Sequence, residues 1–251
     1  MGTSGAYSGS GGKDGKTVRD AVRKYLDGLS GPDGPRKNGD RPPLDPASLQ
    51  RIVNLIRPRG ASGGGGDGPG GGGSGGSGGP QRTTAASART AGRAAAAAYA
   101  YSTGDAATLQ RLGLDYEELR SLGDDVEVLR RIVNMACSTP DSSIEDHEQR
   151  YVAADVAEWV MEQERGGYRP TPDEVVRQTI AVIIAEALLV ETGNLVNGHE
   201  SADVAEQDIR DAAEFIAVQA DLSVNGVTED EISRAVEDGI ERLRGIVRGG
   251  S

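Results

Sequence analysis

Apolar residues recur at helical spacing along most of the chain, and glycine- or proline-rich stretches interrupt them. This pattern predicts helices rather than strands. Asp45-Pro46 supplies an N-cap and a first-turn proline to the second predicted helix. The predicted helices cover residues 16–29, 46–57, 85–101, 126–136, 142–164, 172–193, 202–222 and 228–247, with one or two short turns between 109 and 122.

Three capping boxes, in which a hydroxyl residue precedes a glutamate by three positions, support these boundaries. They are Ser142–Glu145, Thr171–Glu174 and Thr228–Glu231. The helix behind the second box is apolar nearly all round, which is typical of a central core helix, and Asn194 is expected to break it. No strand pair is predicted. The expected fold is therefore all-α, a helical bundle body with a long disordered Gly-rich N-terminal arm.

A glycine-rich stretch divides the chain. Glycine occupies fourteen of the twenty positions from 60 to 79, and a segment of this composition behaves as a flexible linker. We therefore predict a disordered Gly/Ser head at 1–15, a short helical arm at 16–57, a Gly-rich flexible linker at 58–81 and an all-α helical domain at 82–249. The last part is expected to fold without the others.

Charge and composition exclude several classes of protein. Residues 1–104 carry 14 Lys and Arg against 7 Asp and Glu, whereas residues 105–251 carry 13 against 32. The acidic body would repel phosphate backbones, so we expect no nucleic-acid partner.

The single Cys137, expected to be buried, suits a reducing cytoplasm. The longest apolar run, Ile180–Val190, is interrupted by Glu186 and is too short to span a bilayer. We predict a cytoplasmic protein with no membrane contact.

Two stretches look like catalytic motifs but lack essential parts. Ser10–Thr17 ends like a phosphate-binding loop, but Ser10 stands where the loop needs glycine and no buried strand precedes it. His147-Glu148 begins like a zinc-protease motif, but Tyr151 occupies the second histidine position. The sequence assembles no nucleophile, base and orienting group. We therefore predict no enzyme, no cofactor and no metal site.

The first four residues, Met1-Gly2-Thr3-Ser4, form the strongest candidate site. Methionine is removed when the second residue is small, and removal here leaves a free α-amine on Gly2. Such an amine has a pKa of about 8, so part of it is neutral and nucleophilic at pH 7. Glycine also has no Cβ to crowd an enzyme pocket. Taken alone, however, a Met-Gly start is common and implies no function.

Three stretches together resemble the QatB-like family, the associated subunit of the Qat anti-phage defence system. They are the Met1–Ser4 head with its Gly/Ser run, the Arg/Ala/Gly-rich helix from Arg82 to Tyr101, and the series Leu112-Gly113-Leu114-Asp115, Leu122-Gly123, Cys137 and Ser143–Asp146. The resemblance covers residues 1–12 and about 82–165.

The resemblance implies three protein partners from the same operon: a QueC-like enzyme, a large ATPase and a TatD-like nuclease. The QueC-like partner is similar to the ATP-dependent enzyme that makes the 7-cyano-7-deazaguanine base, and its defence relatives join a deazaguanine to the N-terminal glycine of a partner. The resemblance thus predicts a non-catalytic component in which Gly2 is the conjugation substrate, Thr3 and Ser4 are recognition residues, and the body docks partners. The alternative is a plain scaffold for the ATPase or nuclease, with no N-terminal modification.

Overall fold

The computed structural model describes residues 9–30, 44–56, 84–137, 144–222, 226 and 228–249. Within these ranges the ordered elements are helices and no strand occurs, so the prediction of an all-α fold is confirmed. The predicted linker at 58–81 lies outside the described residues, and so does Ser142 of the first capping box.

The described part of the chain forms a series of helices whose bounds follow the predicted ones closely. They are α1 (Lys13–Leu29), α2 (Pro46–Leu49), the 3-10 helix η1 (Gln50–Asn54), α3 (Thr84–Thr103), α4 (Ala106–Arg111), α5 (Tyr116–Ser121), α6 (Asp125–Ala136), α7 (Ile144–Arg165), α8 (Pro172–Val196), α9 (Ala202–Val218) and α10 (Glu229–Gly249).

The predicted capping signals act as expected at three helix starts. The Asp45 side chain accepts hydrogen bonds from two amides of α2. Thr171 and Glu174 form a full capping box at the start of α8. Thr228 and Glu231 form another before α10, because the Glu231 amide donates to Thr228 Oγ1 at 3.4 Å and the Thr228 amide donates to Glu231 Oε2 at 3.2 Å. These bonds satisfy amides that have no partner within the helix.

The second predicted helix, 46–57, is a short α-helix followed by a 3-10 helix, and α9 ends at Val218 rather than at 222. Two other helix ends also differ from prediction. Helix α1 begins at Lys13, inside the stretch predicted to be a disordered head. Helix α8 continues past Asn194 and ends at Val196. Val196 is 1% exposed, so the core gains from keeping the helix intact beyond a polar residue of weak helix propensity. Tertiary packing outweighs local propensity at both ends.

Helix α3 is packed between α7 and α10. Its alanines are buried, which allows both neighbours to approach closely. At Gly92 an added Cβ would overlap Ser233 Oγ and lie 3.2 Å from the Glu229 carbonyl oxygen of α10. Gly92 therefore permits close contact between α3 and α10. Helix α8 packs mainly against α9 and also contacts α1, α7 and α10. The buried alanines are Ala88, Ala91, Ala94, Ala95, Ala96, Ala97, Ala98 and Ala100.

The predicted division between arm and body does not appear in the packing. Helix α1 packs against α8, and η1 packs against α1, α8 and α10. Val18, Val22 and Ile52 are fully buried and belong to the same apolar core as the later helices. The apolar stripes predicted for this region thus cover faces of α8 and α10 that would otherwise be exposed, because an amphipathic helix must bury its apolar face.

A buried arginine ties the first part of the chain to the last helix. Arg244 of α10 is 2% exposed, and its Nε donates to the Val53 carbonyl oxygen at 2.9 Å. Its guanidinium also pairs with Glu241. Burial lowers the pKa of Arg244.

Helix α8 as a whole, which extends beyond the apolar run 180–190, is long and apolar enough to cross a membrane by length and composition alone. Of its most apolar window, 67% is buried inside the protein. The mostly buried core helix of a soluble protein meets the same criteria of length and composition.

Candidate functional site

Gly2, Thr3 and Ser4 lie outside the described residues. The structure instead shows how the chain that follows them joins the helical body. Gly9 and Ser10 lie against α1 and α8 rather than in the disordered head predicted for 1–15, which corrects that prediction for residues 9–15. The point where the head meets the body is therefore the site that the structure describes.

A buried carboxylate holds this junction. Glu191 of α8 is 3% exposed. Its Oε1 accepts a hydrogen bond from the Ser10 amide at 2.8 Å, and its Oε2 accepts one from the Ser10 hydroxyl at 2.8 Å. The Arg19 guanidinium of α1 pairs with the same carboxylate. We call Ser10, Arg19 and Glu191 the head clamp.

Two glycines allow the head clamp to form. Gly9 has a φ of +88°, which favours glycine, and an added Cβ would overlap the Arg19 guanidinium. Gly15 lies in α1 where it faces α8. A Cβ on Gly15 would lie 2.8 Å from Glu191 Oε1 and 2.8 Å from Ser10 Cβ. A side chain at Gly9 or Gly15 would therefore collide with the residues of the head clamp, and the backbone of Gly9 also favours glycine.

The electrostatics of the head clamp follow from burial. A buried carboxylate is costly unless it is paired and hydrogen-bonded. Glu191 meets this requirement with a charged partner and two hydrogen bonds from one residue. The clamp is thus a structural attachment, and its hydrogen bonds are strong because they involve charged groups.

The stretch that looks like a phosphate-binding loop has a different role in the fold. The amide of Ser10, which such a loop would offer to a phosphate, donates to the Glu191 carboxylate. Thr17 Oγ1 donates to the Lys13 carbonyl oxygen at 3.0 Å. Asp14 accepts a hydrogen bond from Arg51 of η1 at 3.2 Å. Residues 10–17 therefore attach α1 to the body, and their nearest buried charge is negative.

The other candidate residues, His147 and Cys137, do not form a common site in the structure. His147 is exposed and packs edge-on against Tyr151, with ring centroids 5.5 Å apart. Cys137 is half-buried rather than buried, because it follows the last residue of α6. Among the described residues, no group of three or more His, Cys, Asp or Glu side chains could hold a metal ion.

Two open clefts lie side by side on the body and share Tyr151. The first, of about 410 Å³, lies between α6 and α7 and is lined mainly by apolar side chains together with Arg130, His147 and Arg150. The second, also about 410 Å³, lies between α7, α8 and α9 and is lined in part by Glu186, Glu206 and Arg210. Val126 and Tyr151 in the first cleft are 73% and 57% exposed. Exposed apolar side chains of this kind are common where proteins meet partners.

Comparison of the chain with protein-family models, with curated proteins and with solved structures finds no match.

The sequence did not single out Glu191 or Arg19. A signal for Glu191 was present, because this carboxylate directly follows the apolar run 180–190 on a helix that is apolar nearly all round. An acidic residue at a core position needs a partner. The identity of that partner could not be read from spacing, since Ser10 and Arg19 lie 181 and 172 positions away.

Proposed function

We propose that this chain is a non-catalytic component of an anti-phage defence operon, and that its N-terminal glycine is the acceptor for a deazaguanine-type group. The resemblance to the QatB-like family supports the proposal. In this proposal the QueC-like partner modifies Gly2 in the cytoplasm, and the helical body docks this enzyme, the large ATPase or the TatD-like nuclease.

The observation that carries the proposal is the head clamp. The described chain is hydrogen-bonded to the body at Ser10, and eight residues, Gly2 to Gly9, precede this point. An acceptor must enter the active site of another enzyme while the rest of the protein stays folded. A chain that is held to the helical core at Ser10 fits this requirement, because the acceptor precedes the point of attachment.

In the proposed reaction this chain supplies the nucleophile, the α-amine of Gly2. The neutral α-amine nitrogen of Gly2 attacks the carboxyl carbon of a deazaguanine that the partner has activated with ATP. The new amide bond forms, the nitrogen loses a proton, and the activating nucleotide leaves. Thr3 and Ser4 offer hydroxyls to the cleft of the partner. No step needs a base from the helical body.

We expect the protein co-expressed with the QueC-like partner to start at Gly2 and to carry added mass on that residue. Gly2→Glu should abolish both methionine removal and the added mass, because a larger second residue keeps Met1 in place. Intact-mass spectrometry, with and without the partner gene, measures both effects.

The matched control is Gly5→Glu, which makes the same change in the head but leaves the acceptor and its neighbours intact. It should be processed and modified like the wild type. An unmodified wild type beside an active partner, or full phage defence by Gly2→Glu, would contradict the proposal and leave the scaffold alternative.

A further inference from the structure

We propose that the head clamp fixes the length of chain with which Gly2 reaches the active site of its modifying partner. Glu191 and Ser10 are positioning residues in this proposal, because they act on the acceptor Gly2 through the chain that joins Gly2 to Ser10. The inference rests on the proposed function, but the clamp itself is tested separately.

The first step is the strength of the attachment. Ser10 gives both its amide and its hydroxyl to one buried carboxylate, at 2.8 Å each. Glu191 is held in turn by Arg19, whose side chain is only 19% exposed. Hydrogen bonds to charged groups are stronger than neutral ones. The chain is therefore held at Ser10, and α1 begins only three residues later, at Lys13.

The second step is the reach that this attachment permits. An extended chain spans at most about 3.3–3.6 Å per residue, so the eight residues from Gly2 to Gly9 reach roughly 26–29 Å. A tether that cannot span the distance between two sites gives almost no effective concentration. The active site of a partner bound to the body must therefore lie within this distance of Ser10.

The third step is a variant that opens the clamp and leaves the core intact. Ser10→Pro removes both bonds to Glu191, since proline has neither an amide hydrogen nor a hydroxyl. The Arg19–Glu191 pair remains, and so does α1 beyond its first turn. Ser10→Ala is the matched control, because it keeps the amide bond and loses only the hydroxyl bond.

Limited trypsin digestion of the isolated protein tests the clamp without any partner. Lys13 and Lys16 are exposed in the first turn of α1, and release of Ser10 should let this turn open. We expect cleavage after Lys13 to be about tenfold faster in Ser10→Pro and to change less in Ser10→Ala. Equal rates in Ser10→Pro and the wild type would show that the clamp does not hold the chain.

Co-expression with the partner tests the length. Deletion of residues 5–8 leaves four residues ahead of Ser10 and a reach of about 13–14 Å. We expect N-terminal modification to fall by about tenfold or more, since the shortened tether no longer spans the gap. Adding Ser10→Pro to this deletion should restore most of the modification, because release of the clamp frees further residues up to α1.

The rescue separates reach from a merely structural role, since a structural defect would worsen with a second change. The control deletes four residues from the linker at 63–66, which leaves the head unchanged and should not alter modification. A deletion of 5–8 that is modified like the wild type, or one that Ser10→Pro fails to rescue, would overturn the inference. An unmodified wild type would instead overturn the proposed function, while the digestion result would still report on the clamp.

Discussion

Two buried charged residues hold the backbone of the first part of the chain onto the later helices. Glu191 of α8 accepts a hydrogen bond from the Ser10 amide. Arg244 of α10 donates to the Val53 carbonyl oxygen. Each is almost fully buried. A buried charge that loses its partner is strongly destabilising, so both residues make the position of a distant backbone segment specific.

At this scale we predict that Arg244→Ala lowers the free energy of unfolding by about 1–3 kcal/mol, because it leaves the Val53 carbonyl without its donor. The matched control is Arg248→Ala, one helical turn later on α10 and exposed. It should change stability by no more than about 0.5 kcal/mol. Urea unfolding curves compare the variants. Equal losses for both would show that the bond to Val53 contributes nothing.

Among the elements, α3 is distinguished by small residues rather than large ones. Its alanines are buried on more than one face, and Gly92 lies against the first turn of α10, where Ser233 Oγ donates to the Ala88 carbonyl oxygen at 3.2 Å. Small side chains let helix backbones approach closely, and close approach increases dispersion contacts. The crossing of α3 and α10 therefore depends on the absence of a side chain at one position.

We predict opposite effects for the same substitution at two glycines. Gly92→Leu should destabilise the protein by about 1–3 kcal/mol through overpacking. Gly245→Leu on α10, where an added Cβ meets nothing within 4 Å, should stabilise it by up to about 1 kcal/mol through helix propensity. Thermal and urea unfolding measure the sign of the stability change in each variant. A neutral Gly92→Leu would mean that α3 and α10 can move apart at no cost.

At the scale of the whole molecule, helices on both sides of the glycine-rich linker share one apolar core. Helices α1 and α2 and the 3-10 helix η1 lie before the linker, yet they contact α8, α9 and α10. Among the described residues, the later helices consequently present apolar faces that the N-terminal segments cover. The described helices before the linker therefore belong to the same apolar core as those after it.

We predict that residues 82–251 alone lose cooperative thermal unfolding, contrary to the expectation from linker composition. The removed segment includes Val18, Val22, Leu49, Ile52 and Val53, each fully buried. Burial of such a side chain contributes about 1.5–3 kcal/mol, and a domain has only about 5–15 kcal/mol in total. Circular dichroism melting curves measure the loss.

The control for this prediction is complementation. Addition of a fragment of residues 1–57 to residues 82–251 should restore a cooperative transition, because the core needs the N-terminal helices and not the linker. If residues 82–251 melt cooperatively at the temperature of the full chain, the N-terminal helices are accessory and the sequence-based domain boundary stands.

The sequence by itself determined the helical class, most helix positions and the caps of α2, α8 and α10, because periodicity and capping are local properties of the chain. It did not reveal the head clamp, the Arg244 bond or the start of α1 at Lys13. These depend on residues far apart in sequence, and hydrophobic spacing carries no information about which distant groups meet.

The placement of α1 and η1 shows the same limit. Their apolar stripes predicted that each helix must bury one face. A stripe does not identify the element against which that face packs. The linker suggested separation, since glycine-rich chain is flexible, yet flexibility permits docking as readily as distance. Only the tertiary structure decided between them, because the partner faces on α8 and α10 exist only once those helices have packed.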